Sequence, residues 1–162
     1  AIDGQVRYVI NCHLKRLKQQ EAELKRLEQR LACATRHDPL VARLLELKGV
    51  GLITALTLRA EIGRFDRFVN GKQLARFCGL TPCNASSGQR QADAGLIHAG
   101  NPQLRAVLIE LAHRLIRYDP RWSRLHAEMR RRGKPGSVIA AAVANRWSRW
   151  LFHQMKAIDQ AV

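Results

Sequence analysis

Two adjacent serines, Ser86 and Ser87, stand before Gly88 in the longest polar stretch of the sequence, residues 83–100, CNASSGQRQADAGLIHAG. A serine hydroxyl can attack a phosphodiester if it loses its proton and faces a neutralised phosphate. Gly88 allows close approach of a ligand, and Gln89 and Arg90 supply donors. His98, Asn101 and Arg105 follow across the stretch. Arg90 and Arg105 are the candidates for neutralising the phosphate. No Ser/His/Asp spacing identifies a general base, and His98 is the one imidazole in the stretch. On residue types alone the stretch reads either as a surface turn or as a loop carrying a nucleophile. Long loops without periodicity in compact domains are often functional.

A second candidate lies upstream. Apolar segments at residues 41–47 and 52–62 are joined by Lys48-Gly49-Val50-Gly51. Two apolar helices joined by a GVG turn resemble a helix-hairpin-helix. The glycines permit a tight turn. The first amides of the second helix have no partner within it, so a phosphate can sit there, helped by the helix dipole and Lys48. Lys48, Gly49, Val50, Gly51 and Thr54 form the DNA-facing set at this end. Such contacts read backbone rather than base sequence. A purely structural helical hairpin is the other reading.

Other chemistry is thinly represented. Asp66, Asp93, Asp119 and Glu110 form no recognisable carboxylate cluster. A two-metal nuclease needs several converging carboxylates, so this chain alone does not read as one. The four cysteines, Cys12, Cys33, Cys78 and Cys83, contain no CxxC pair. Cys78 and Cys83 bracket a turn and could join His98 at a metal, but reduced thiols are the plainer reading. Trp122, Trp147 and Trp150 fall in C-terminal helical segments, where core packing is commoner than base stacking. Arg130-Arg131-Arg132-Gly133-Lys134 could hold phosphates or form a solvated helix end.

The elements that must carry these residues read as helices. Ile10, Leu17, Leu24 and Leu31 repeat at sevens, giving a coiled-coil arm or helical hairpin over residues 1–37 and an expected homodimer or higher oligomer. Asp38-Pro39, Asn101-Pro102 and Asp119-Pro120 each pair a capping side chain with proline at the first helical position. Asn70 caps a short helix over residues 72–78. Ser137 is expected to cap a last helix through Ile158, with Val138, Ala141, Ala142, Trp147, Trp150 and Leu151 apolar. No segment shows strand alternation. The expected fold is all-α: an arm, then a compact helical domain over residues 38–162, with a serine-bearing loop at 79–100.

Charge points to the partner. The chain of 162 residues carries 28 Lys and Arg against 13 Asp and Glu, a net +15. Residues 101–162 hold 12 basic and 4 acidic side chains, a net +8. Arg outnumbers Lys by 21 to 7, and guanidinium forks grip phosphate bidentately. Nucleic acid is the partner this balance favours. No apolar run approaches the ~18 residues of a membrane span. A cytoplasmic protein, nucleoid-associated when bound to DNA, is expected.

The order LLELKGVGLITALTLRAEIG, RFDRFVNGKQLARFCGLTP, SSG, HAGNPQLR, YDPRW, RRGKP resembles the C-terminal domain of IS-one-ten-type insertion-sequence transposases. These are serine transposases, the bridge-RNA-guided recombinases. The segment from Leu17 to Leu31 resembles the coiled coil before that domain. The resemblance implies that Ser87, the serine directly before Gly88, is the nucleophile in strand exchange. It also implies a structured guide RNA as partner. It implies magnesium too, held by the carboxylates of an RNase H-like domain this chain does not contain, with no cofactor in the chain itself. Arg90 falls where the family has a basic residue. Where the family has Ser-Lys before AGN, this sequence has Ile97-His98, so His98 stands in place of a phosphate-binding lysine. A non-catalytic helix-hairpin-helix DNA-binding module is the alternative function.

Overall fold

The computed structural model describes residues 3–87, 90–97 and 99–159. Among them are seven helices and one two-stranded antiparallel sheet, an all-α architecture with a small hairpin. Two units divide the chain, residues 1–37 and residues 38–162.

The first unit is one unbroken helix, α1 (Gly4–Ala34). Residues 5–34 contain no Gly or Pro and are rich in Leu, Lys, Arg, Gln and Glu, all good helix formers. Ile10, Leu17, Leu24 and Leu31 are all exposed, and no residue of α1 is buried. Thr35 ends the helix by returning its hydroxyl to the Leu31 carbonyl (2.8 Å).

The second unit begins with α2 (Pro39–Leu45) and α3 (Leu52–Ile62). Asp38 caps α2, accepting from the Leu40 and Val41 amides at 2.9 and 3.2 Å. Its other oxygen accepts from Arg59 Nε at 2.7 Å, which ties the start of α2 to the end of α3. Partial burial pushes the Asp38 pKa up, but the Arg59 hydrogen bond and charge and the two amides outweigh it and hold the carboxyl below its usual range. Phe65 and Phe68 then anchor the turn after α3 in the core. Asn70 opens α4 (Gly71–Phe77) by accepting from the Gln73 amide.

Three further helices follow: α5 (Pro102–Tyr118), α6 (Pro120–Arg131) and α7 (Gly136–Asp159). Asn101 and Asp119 cap α5 and α6 with proline next to each cap. Leu104, Leu108, Leu111 and Leu115 form the buried stripe of α5 at 3.6-residue spacing. α7 packs against α2, α4, α5 and α6. Its buried face is Ile139, Val143, Trp147 and Leu151, continued by Ala140, Ala144, Phe152 and Met155. Trp122 is buried and Trp150 half-buried, so the tryptophans do serve the core. Among the described residues no helix is long and apolar enough to cross a membrane.

Three expectations need correcting. The polar stretch is not a loop: β1 (Pro82–Ser87) and β2 (Arg90–Leu96) pair antiparallel, with an irregularity between Pro82 and Asn84. Neither strand has the alternation or β-branched content that marks one in sequence, so the pairing is imposed by how its ends are held. Ser137 does not cap α7: the helix starts at Gly136, with the Ile139 amide on the Pro135 carbonyl (3.1 Å). Its apolar face is also rotated, because the run Ala140 to Ala142 fits either side. Val138 is exposed, and Ile139 takes the buried position.

Candidate functional site

The hairpin that carries the two serines is fixed at its foot. Gly79 (φ +69°) and Gly100 (φ +131°) have backbones that L side chains rarely adopt. The Ile97 amide donates to the Thr81 carbonyl (3.0 Å), extending the contact past the ladder. Asn145 of α7 donates its Nδ2 to the Leu80 carbonyl (3.0 Å). Arg105 of α5 donates Nη2 to the Ile97 carbonyl (3.1 Å).

Asn101 is committed on three sides. Its Oδ1 accepts from the Gln103 and Leu104 amides. Its Nδ2 donates to Glu61 Oε2 at 2.5 Å. Its own amide donates to the Phe77 carbonyl (2.9 Å). Both Asn101 and Arg105 therefore position the hairpin foot in this structure. From there the ladder runs outward through Asn84↔Asp93, Ala85↔Ala92 and Ser86↔Gln91 to its last pair, Ser87↔Arg90. The backbones of Ser87 and Arg90, both singled out in sequence, are direct cross-strand partners. Gly88 and His98 lie outside the described residues.

The second set lies elsewhere. Glu61, near the C-terminal end of α3, meets Asn101, whereas Gly51 is the N-cap residue at the opposite end. The ten residue steps from Gly51 to Glu61 span ~15 Å of helix. Lys48, Gly49 and Gly51 are exposed. Gly49 holds a positive φ (+83°), and a Cβ there would press on the Leu111 and Leu115 side chains of α5 at 3.3 and 3.4 Å. No side chain caps α3, and the Ala55 amide is the one that closes on Gly51 (2.9 Å). The first-turn amides thus stand at an exposed, uncapped, positive helix end beside Lys48.

Two members of that set do other work. Thr54 is 6% exposed, and its hydroxyl accepts from Arg114 Nη2 at 3.0 Å. It braces α3 against α5 rather than facing a ligand. Val50 is a core side chain, and its amide is spent on the Leu47 carbonyl (3.1 Å).

Glu61 and Asn145 were not singled out in the sequence. Glu61 had a signal: a carboxylate in the last turn of a helix opposes the dipole and calls for a partner. Asn145 is a poor helix former inside an apolar helix, which is a weaker sign of the same kind. Among the described residues no three His, Cys, Asp or Glu side chains come together in a way that could hold a metal ion. Among the described residues, the carboxylates do not gather as a magnesium site requires.

Residues 41–127, which include the whole hairpin, match the family described as Transposase IS116/IS110/IS902. A protein of Pseudomonas aeruginosa named "Probable family 20 transposase" is 34% identical over 137 residues, covering 82% of this chain and 40% of the relative. The transposase for insertion sequence element IS1111A of Coxiella burnetii is 31% identical over 142 residues, covering 85% of this chain and 39% of the relative. The transposase for insertion sequence element IS1328 of Yersinia enterocolitica is 26% identical over 132 residues, covering 78% and 39%. The chain thus spans about 40% of the length of each of these three relatives.

Proposed function

The chain belongs to the IS116/IS110/IS902 transposase family, and from that premise we propose that it is the DNA-binding C-terminal part of a transposase in which Ser87 is the nucleophile. The observation that carries the proposal is the hairpin. It is a built element, locked at its foot to α5 and α7, and its last backbone pair joins the serine before Gly88 to an arginine. In the reaction the Ser87 hydroxyl oxygen forms an ester bond to a DNA phosphorus. The bond from that phosphorus to a sugar oxygen breaks, and the sugar oxygen leaves as a hydroxyl, taking up one proton to balance the one the Ser87 hydroxyl gives up. Arg90 offers the charge that a phosphate in this position needs.

The exposed N-terminal end of α3, with Lys48, Gly49 and Gly51, binds DNA backbone in helix-hairpin-helix fashion. It does so ~15 Å along α3 from the hairpin foot. DNA and a structured guide RNA are the partners on this reading, and the site of action is the cytoplasm. On this reading magnesium belongs to a part of the transposase beyond these residues. The exposed heptad column of α1 pairs with that of a second copy. Light scattering that returned a one-chain mass would remove this last element.

The test is covalent. In the full-length transposase, Ser87→Ala should abolish attachment of protein to cleaved DNA, and Ser86→Ala should leave it within a few-fold of the parent. Equal loss from both changes would refute the assignment. The uncapped, exposed end of α3 also favours a second reading, a non-catalytic DNA-binding module. That reading predicts no phosphoserine–DNA adduct under any condition.

A further inference from the structure

The exposed faces of α6 and α7 carry much of the positive charge, and none of their side chains contacts DNA in the function just described. An open groove of about 540 Å³ runs between α6 and α7. Arg121 lines it from α6, and Arg146, Arg149 and His153 line it from α7. The three α7 residues are spaced three and four apart, so they share one helix face. Among the described residues no carboxylate lines the groove. Arg43, Arg59, Arg64 and Arg132 all bind carboxylates, whereas Arg121, Arg146 and Arg149 are exposed and have no ion pair among the described residues. These three guanidiniums are left for an anion that is not part of the described structure.

The groove offers more than charge. Leu125 and the half-buried Trp150 give it an apolar wall. Its volume falls within the range of about 300–1,000 Å³ typical of ligand sites. A duplex presents phosphates along a convex outline and keeps its base faces stacked inside, so the apolar wall would meet nothing. An unpaired nucleotide offers both halves of the match, a phosphate for the guanidiniums and a π-face for the indole. Trp150 is the ring suited to this role: Arg121 already lies over Trp122 at 4.8 Å, and Trp147 is buried.

The walls are held in place from behind. A Cβ on Gly71 would come within 2.7 Å of the Arg149 carbonyl oxygen, so α4 meets α7 backbone to backbone beneath that arginine. Trp150 packs against Trp147 with ring centroids 6.1 Å apart.

We infer that the α6–α7 groove binds an unpaired stretch of nucleic acid, with Arg121, Arg146 and Arg149 on phosphates and Trp150 stacked on a base. This rests on the reading of the chain as nucleic-acid-binding, but uses none of the residues assigned to the Ser87 hairpin or the α3 end. The experiment compares residues 1–162 with the Arg146→Gln, Arg149→Gln double variant and with Trp150→Phe. The probes are an oligodeoxythymidine, an oligouridine of equal length and a blunt DNA duplex. The double variant should lose roughly tenfold or more in single-strand affinity, with a salt slope shallower by about 1.4. Its duplex affinity should change less than about threefold, because the duplex contacts lie elsewhere.

Single strands should quench tryptophan emission in the parent. Trp150→Phe should remove that quenching yet keep binding, since phenylalanine still stacks. The stronger of the thymidine and uridine arms assigns DNA or RNA as the occupant. Equal loss for duplex and single strand, or quenching that survives Trp150→Phe, overturns the groove while leaving the wider reading intact. A parent chain that binds neither oligonucleotide nor duplex overturns the nucleic-acid reading itself.

Discussion

Gly100 and Gly79 meet backbone to backbone at the foot of the hairpin. A Cβ on Gly100 would lie 2.5 Å from the Gly79 Cα and 2.6 Å from its nitrogen. Both residues also hold positive φ. Gly100→Ala therefore meets two penalties at once, backbone strain and a clash with atoms that cannot swing away. It should cost about 2–3 kcal/mol of unfolding free energy in urea titration. Gly63, which has positive φ but no atom within 4 Å of where a Cβ would lie, is the control for strain alone. Its alanine variant should lose about 1–2 kcal/mol. If the two variants lose equal stability, the clash is not what holds the foot together.

Lys48 and Thr54 separate binding from bracing at the α3 end. Lys48 is exposed beside the uncapped helix, so Lys48→Ala should weaken duplex binding with no measurable change in melting temperature. Thr54→Val removes the acceptor for Arg114 and should cost about 0.5–1.5 kcal/mol. Duplex affinity of the folded variant should be unchanged. Loss of affinity in Thr54→Val without loss of stability would return Thr54 to the DNA-facing set.

That contrast also marks what the sequence could reveal. The capped starts of α2, α5 and α6 were legible because Asp38-Pro39, Asn101-Pro102 and Asp119-Pro120 write the first turn locally. The phase of α5 was legible because its leucines allow one buried face. The phase of α7 was not, because alanines fit either side. Nor was the hairpin: its foot depends on Asn145 reaching Leu80 and Asn101 reaching Glu61, residues 65 and 40 apart. Such pairings exist only once the helices have packed. The Thr54–Arg114 contact was hidden for a related reason, since spacing places Thr54 in the first turn but does not say on which side of the turn α5 lies.

Asp38 gives the fold an acid-sensitive joint. Its carboxyl titrates below the usual value in the folded chain, so the folded state favours the ionised form. That contribution is complete above the unfolded pKa of about 3.9. It is lost as pH falls through the folded pKa, because protonation releases Arg59 and weakens the α2 cap. The stability difference between the parent and Asp38→Asn, which still caps but carries no charge, should be constant above about pH 5. It should shrink as pH falls below about 4 in a series of denaturant titrations. A difference that grows on acidification would contradict the sign of the shift.

Cys78 provides a reporter for the hairpin foot, because it directly precedes Gly79. Burial pushes its thiol up to about 12, so at pH 8 roughly one thiol in 10⁴ is ionised. Its side chain is also fully buried. Cys12 and Cys33 are exposed, and Cys83 is partly so. A disulfide reagent at pH 8 should modify Cys12 and Cys33 first, Cys83 more slowly and Cys78 only when the domain opens. Mass spectrometry of quenched samples assigns the order. In Gly100→Ala, Cys78 labelling should accelerate by the factor its lost stability predicts, about thirtyfold for 2 kcal/mol if opening is global. Acceleration well beyond that factor would mean that the foot opens locally, ahead of the core.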